Sequence, residues 1–313
     1  MHEKHISDSD TLAVSNASPN TEFHPLFFDP DADITLQSDD GVQFRVRSAI
    51  MTMSSGFFKA KLGLPGNPVA QAPIMMTEPG HIIAALLSII DPQFGISQFD
   101  HGHIWDILKA ADKYDMPSVM GTLRHLIGVH SRAGDTDPIK TYAYACRYGW
   151  EDVAKAASTR TLDTDLSALS ETEISLMDTI SLFRLQKLHR SRGHALIELM
   201  DIKAEEGSSH LVFHRCGNKE RPYRYLFPCC AVRGRSHFWI LAKHIVLREM
   251  EKCPSGRTLR LEEFWNRPEL TPLWEIRLHP GCNCGIICMV FDKKGTMQEV
   301  LRMLDSDHLP VTV

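Results

Sequence analysis

Residues 26–62 constrain the fold more than any other stretch, because they demand a hairpin followed at once by two short helical turns. Asp33-Ile34-Thr35-Leu36-Gln37 alternates apolar and polar side chains, Ser38-Asp39-Asp40-Gly41 supplies turn residues, and Val42-Gln43-Phe44-Arg45-Val46 alternates again. This pattern predicts a β-hairpin with one buried face, and the Asp40-Gly41 pair suits the positive φ angles of a tight connection. Ser48 is expected to cap a helix whose apolar positions are Ala49, Ile50, Met51 and Met53. Ser54-Ser55-Gly56 then ends that helix before Phe57 and Phe58 open another apolar turn.

The following pieces come in a definite order. Ile74-Met75-Met76 reads as a strand, His81 to Ile90 as a buried helix, Ile104 to Met116 as a second helix with the sequence IWDILKAADKYDM, and Leu123-Arg124-His125-Leu126 as part of a third. Taken together with Asp33-Ile34, Phe44, the Ser-Ser-Gly-Phe-Phe run and Ala111-Asp112-Lys113-Tyr114, this succession resembles the BTB/POZ domain. The resemblance implies an α+β chain in which residues 22–130 form a small mixed sheet covered by helices. The family usually carries His three residues after the Phe of the second strand, where this chain has Arg47. The resemblance also places Asp33 and Arg47 at the two ends of the hairpin. A partly buried carboxylate there needs a charged or hydrogen-bonding partner, so an Asp33–Arg47 pair is expected.

A chain of 313 residues with 43% hydrophobic content should build two or three cores. Its longest apolar run, Ile82 to Ile90, is about half of what a bilayer crossing needs, and the first residues lack the charged-then-apolar pattern of a secretory leader. A soluble protein of the cytoplasm or nucleus is expected. There the eight cysteines stay mostly reduced, and Asn16-Ala17-Ser18 is not read as a glycosylation site. Charge is distributed unevenly: residues 1–130 carry −7, residues 131–206 carry −3 and residues 207–313 carry +5. An acidic front and a basic back suggest separate modules with different contacts.

Residues 1–21 are rich in Ser, Asp, Asn and His and are expected to form a disordered tail. Part of the BTB/POZ family dimerises through an extra strand or helix ahead of the domain, and nothing in this tail resembles one. Leu64-Pro65-Gly66-Asn67-Pro68 and residues 91–100 read as loops, and Gly134 to Pro138 as a short linker. Residues 131–206 form an expected all-helical extension, similar in placement to the family's BACK-type helices. It holds Ile139 to Cys146 and Trp150 to Ala157 as two short helices separated at Gly149. A Ser170/Glu173 capping box then opens one or two more through Ile174, Met177, Ile180, Leu182, Phe183, Leu185 and Leu188. Residues 207–313 form a C-terminal module of uncertain α/β content. Within it His210 to Cys216 reads as a strand, and Arg235 to Met250 and Met297 to Leu304 read as helices. The chain has no internal repeat, and the last module is too short for a propeller of kelch repeats.

No motif for nucleotide, metal or nucleophile chemistry is present, so no catalytic, cofactor-binding or metal-binding residue is assigned. His2-Glu3-Lys4-His5 lacks the spacing of a zinc-protease helix. Cys216, Cys229, Cys230, His237, His279, Cys282, Cys284 and Cys288 concentrate late in the chain, but they include no Cys-x-x-Cys pair, and small buried cysteines explain them better than zinc. Arg215, Lys219, Arg221, Arg224, Arg233 and Arg235, interleaved with Tyr223, Tyr225 and Phe227, have the composition of a nucleic-acid surface. The same composition describes a solvated sheet face, and an acidic protein surface fits it better.

The expected function is therefore a non-enzymatic protein-interaction scaffold, acting through the BTB/POZ-like domain and its helices on other proteins, a second copy of the chain included. Neither a membrane nor a small-molecule substrate is implied. Two alternatives remain: a regulatory nucleic-acid-associated protein using the basic C-terminal module, and a substrate adaptor of a cullin-type ubiquitin ligase. Apolar anchors are sought near Met51 and Met53 and along Ile104 to Tyr114, positions that core packing also claims.

Overall fold

The hairpin forms, and it sits inside a four-stranded sheet. The computed structural model describes residues 22–63, 72–91, 93, 101–205, 233–275 and 293–313, and the chain divides into two compact units, residues 1–126 and 127–313. In the first unit β1 (Phe23–Phe28), β2 (Ile34–Gln37), β3 (Gln43–Val46) and β4 (Ile74–Met75) lie in the order β1-β3-β2-β4. The hairpin pair β2–β3 is antiparallel with Ile34 opposite Val46 and Leu36 opposite Phe44, whereas β1 pairs with β3, and β4 with β2, in parallel. The alternation read from the sequence is realised in burial: Ile34, Leu36, Phe44 and Val46 all point into the core. The connection is one residue longer than a two-residue turn. Ser38 N–H donates to Val42 O and Gly41 N–H to Ser38 O, and of the Asp40-Gly41 pair only Gly41, at φ 88°, is left-handed. Asp40 instead turns its carboxylate to the Gly80 N–H, at 3.0 and 3.1 Å.

Strand β1 falls within the expected domain but was not legible as a strand. Pro25 interrupts its pattern, and such an interruption is tolerated because β1 is an edge strand that needs ladder bonds on one side only. Its inward residue Phe27 and half-buried His24 pack on Phe44, the His24 ring stacked at 5.1 Å between centroids.

Helices α1 (Ser48–Ser54), α2 (Gly56–Leu62), α3 (Gly80–Ile90), α4 (Ile104–Lys113) and α5 (Pro117–Ala133) surround the sheet. The two stretches that carry most of the resemblance meet in space. Ser55 Oγ donates to Tyr114 O at 2.5 Å and caps α2 by accepting from Phe58 N–H, while Gly56 N–H donates to Asp115 O. A Cβ at Gly56 would stand 1.8 Å from Asp115 Oδ2, so a larger residue at this junction of Ser-Ser-Gly-Phe-Phe with Ala-Asp-Lys-Tyr would have to displace the Asp115 side chain. Lys113 and the Tyr114 hydroxyl both donate to Glu78. Burial raises the Glu78 pKa, yet these donors outweigh it and hold the carboxyl below its usual value.

The regular elements described in the second unit are helices: α6 (Pro138–Arg147), α7 (Glu151–Thr161), α8 (Glu171–Ser175), α9 (Thr179–Glu205), α10 (Arg233–Lys252), α11 (Glu262–Trp265), α12 (Thr271–Glu275) and α13 (Lys293–Leu304), with short 3-10 turns among them. Asp137 caps α6 ahead of Pro138, and the Ser170/Glu173 capping box forms in both directions. Leu196 and Met200 of α9 share one core with Ala242, Val246 and Met250 of α10, Trp265, and Val300, Met303 and Leu304 of α13. The helices of residues 131–206 and those of the described C-terminal residues are thus joined by a common interior. Arg192, buried on α9, spans three segments of it, donating to the carbonyls of Pro254, Pro310 and Leu304. No helix among the described residues is long and apolar enough to cross a membrane.

Candidate protein-interaction surface

The expected Asp33–Arg47 pair does not form. Arg47 Nε donates to Asp29 Oδ2 at 2.5 Å, with Asp31 Oδ2 at 3.6 Å; Arg47 is exposed and Asp29 half-buried. Asp33 accepts instead from Ser48, at 2.6 Å from its backbone N–H and 2.5 Å from its hydroxyl. The physical reason lies in reach and direction. Residue 47 occupies the cap position before α1 with an extended backbone, which sends a long side chain outward to the loop after β1 and leaves the adjacent free N–H to the carboxylate at the start of β2. The Ser48 side chain consequently donates to Asp33 and does not cap α1, as its position in the sequence had suggested. Burial would raise the Asp33 pKa, but the Ser48 bonds outweigh it and keep the carboxyl below its ordinary range.

Beside this ion pair β1 presents apolar side chains to solvent. Phe23, Leu26 and Phe28 are exposed, Phe28 at 53%, and the Phe23 and Phe28 rings meet edge to face at 5.3 Å. The Arg45 guanidinium lies 5.2 Å from the centre of the Phe28 ring and also donates to the carbonyls of Pro30 and Ala32, so the loop after β1 is held by Arg45 and Arg47 together. A cleft of about 240 Å³ opens next to this strand between Leu26, Phe28, Arg47, Ile50, Leu87 and Asp91. Such a volume is below the usual range for a cofactor or substrate pocket and suits one or two inserted side chains with an apolar body. The bond from Arg47, followed by that from the Asp31 backbone, holds the Asp29 carboxyl below the usual range, so the rim carries both charges at neutral pH.

The anchors sought on α1 and α4 divide sharply. Met51 is 1% exposed and belongs to the core, whereas Met53 is 88% exposed. On α4 Ile104, Ile107, Leu108, Ala111 and the following Tyr114 are all buried and belong to the core. Cys216, Cys229, Cys230, His279, Cys282, Cys284 and Cys288 lie outside the described residues, as do Arg215, Lys219, Arg221, Tyr223, Arg224, Tyr225 and Phe227 and the expected strand at 210–216. Among the described residues no group of three or more His, Cys, Asp or Glu side chains has a metal-holding arrangement.

A mixed sheet whose hairpin is followed by two short helices, one of them locked to the turn after the Ala-Asp-Lys-Tyr run, is the arrangement the resemblance implied. A family model described as the BTB/POZ domain matches residues 27–129. The chain carries a BTB/POZ domain. No curated protein matches the chain. A BTB/POZ domain is generally a protein–protein interaction module. The BTB/POZ domain here offers an apolar edge strand with an ion pair at its rim. Sequence reading passed over β1 and Asp29, although the concentration of Phe23, Leu26, Phe27 and Phe28 in six residues was the signal for a strand with one face left over.

Proposed function

We propose that this chain is a non-enzymatic protein-interaction scaffold whose BTB/POZ domain binds protein partners through the outer face of β1. One observation carries the reading: an edge strand bears three exposed apolar residues, two of them aromatic, beside a cleft sized for inserted side chains. Exposed aromatic residues at a rim with satisfied charges are the composition of an interface centre, and a strand edge with no pairing among the described residues adds main-chain donors and acceptors for a partner segment. The helical unit extends the scaffold. Its buried Arg192 holds segments together by donating to three backbone carbonyls.

Site-specific photo-crosslinking tests this. A photoreactive phenylalanine at position 28 of the full chain should yield discrete crosslinked protein adducts in cells, whereas the same probe at exposed Lys140 should yield few. Equal adduct patterns at the two positions contradict the reading.

A further inference from the structure

Helix α9 is two-faced along its first five turns. Ser181, Leu185, Leu188, His189, Arg192 and Leu196 are buried on one side. At about 100° per residue, Ile180, Phe183, Arg184, Lys187 and Arg190 fall on the opposite side within one stripe, and all five are exposed. Ile180 and Phe183 are 65% and 64% exposed, an i,i+3 pair of large apolar side chains standing in solvent. No acidic residue occurs between Asp178 and Glu198. Arg184, Lys187 and Arg190 make no ion pair with any described residue, although the Arg and Lys side chains elsewhere in the structure that face acids do so readily, as Arg260 with Asp305 and Arg267 with Glu249. Asp178, at the start of the stripe, is occupied by the Ile180 and Ser181 N–H groups and the Ser181 hydroxyl.

An uncompensated row of three cations repels itself, and two exposed apolar side chains remain hydrated at a cost. Both are relieved by the same partner. We propose that this stripe of α9 is a docking surface for an acidic segment of a partner protein, a segment that lays an apolar residue against Ile180 and Phe183 and carboxylates against Arg184, Lys187 and Arg190. Charge complementarity selects the acid, and the adjoining apolar pair selects a peptide over a purely anionic polymer. The inference rests on the interaction-scaffold reading but assigns a second surface, on a different unit from β1, with a partner of defined chemistry.

The test uses the full chain and three fluorescent synthetic probes: a peptide of Glu and Asp carrying Leu and Phe at helical spacing, its Gln/Asn counterpart, and a counterpart in which Leu and Phe become Ser. A duplex DNA oligonucleotide and phosphatidylserine vesicles complete the set. The acidic-apolar peptide should bind, and the triple variant Arg184→Ser/Lys187→Ser/Arg190→Ser should weaken it about tenfold. Phe183→Ser should weaken it about fivefold. Leu26→Asp on β1 should leave it unchanged, which separates failure of this surface from failure of the β1 reading. All five positions are exposed, and unaltered circular dichroism and thermal midpoints of the variants confirm an intact fold. Absence of binding, equal binding of the Gln/Asn or Ser counterpart, insensitivity to the triple variant, or tighter binding of DNA or vesicles than of the peptide each overturns the proposal.

Discussion

Arg47 Nε stands 2.5 Å from Asp29 Oδ2, so the guanidinium ties the loop after β1 to the end of β3 and leaves Asp33 to the helix that follows. Two roles that the sequence suggested for one pair are therefore split between two carboxylates, Asp29 in the ion pair and Asp33 as acceptor for the Ser48 backbone and hydroxyl.

This split sets an order of severity. Replacing Arg47 by Ala removes a solvent-screened ion pair, and its urea midpoint should coincide with that of the wild type. Asp33→Ala removes the acceptor for the first N–H of α1, and a lost helix cap costs about 1 kcal/mol. Parallel denaturation curves of the two variants decide the matter, and an Arg47→Ala midpoint lower than that of Asp33→Ala contradicts the assignment.

His189 makes folding sensitive to mild acid. Its ring is buried against Thr161, Nδ1 has no hydrogen-bond partner among the described residues, and burial lowers its pKa from 6.5 to about 4, against a weaker opposite pull from Asp165. A base whose pKa is depressed by folding is charged more readily in the unfolded chain. Its contribution is therefore complete above pH 6.5 and declines as pH falls toward 4. The full loss across that window is on the order of 3 kcal/mol. His189→Asn should flatten the pH dependence of the unfolding free energy between these limits. An unchanged slope in the variant locates the effect elsewhere.

Arg192 should resist conservative replacement. Its Nε and both terminal nitrogens serve carbonyls on three separate segments, a fork that an ammonium cannot reproduce. Burial lowers its pKa, yet guanidinium remains charged, so the three acceptors are what balance its desolvation. Arg192→Lys and Arg192→Gln should both destabilise the second unit, each by on the order of 3 kcal/mol. Hydrogen exchange resolves the location: faster exchange in α13 and residues 306–313 is expected, and protection equal to wild type there rules out the clamp.

The parts of this molecule legible in its sequence are those fixed by local chemistry. Alternation with Gly41 located the hairpin, and Ser170 with Glu173 located the start of α8. The order of apolar helices from His81 to Leu126 likewise gave the BTB/POZ domain. What escaped depends on partners far along the chain. Pro25 hid β1, because an edge strand tolerates a missing donor that a pattern search penalises. The partner of Arg47 was misassigned because side-chain direction depends on the extended backbone at the helix cap, which spacing does not report. The α9 stripe lay among apolar positions assigned together to the same helices, and only burial separates Leu185 and Leu188, which face inward, from Ile180 and Phe183, which do not.

The most direct measurement is quantitative affinity purification of the full chain against its Leu26→Asp/Phe28→Asp variant, both expressed at equal level and shown to be folded by circular dichroism. If the outer face of β1 is the working surface of the BTB/POZ domain, proteins enriched with the wild type should be depleted at least about tenfold with the variant. Recovery of the same proteins in the same amounts from both contradicts it.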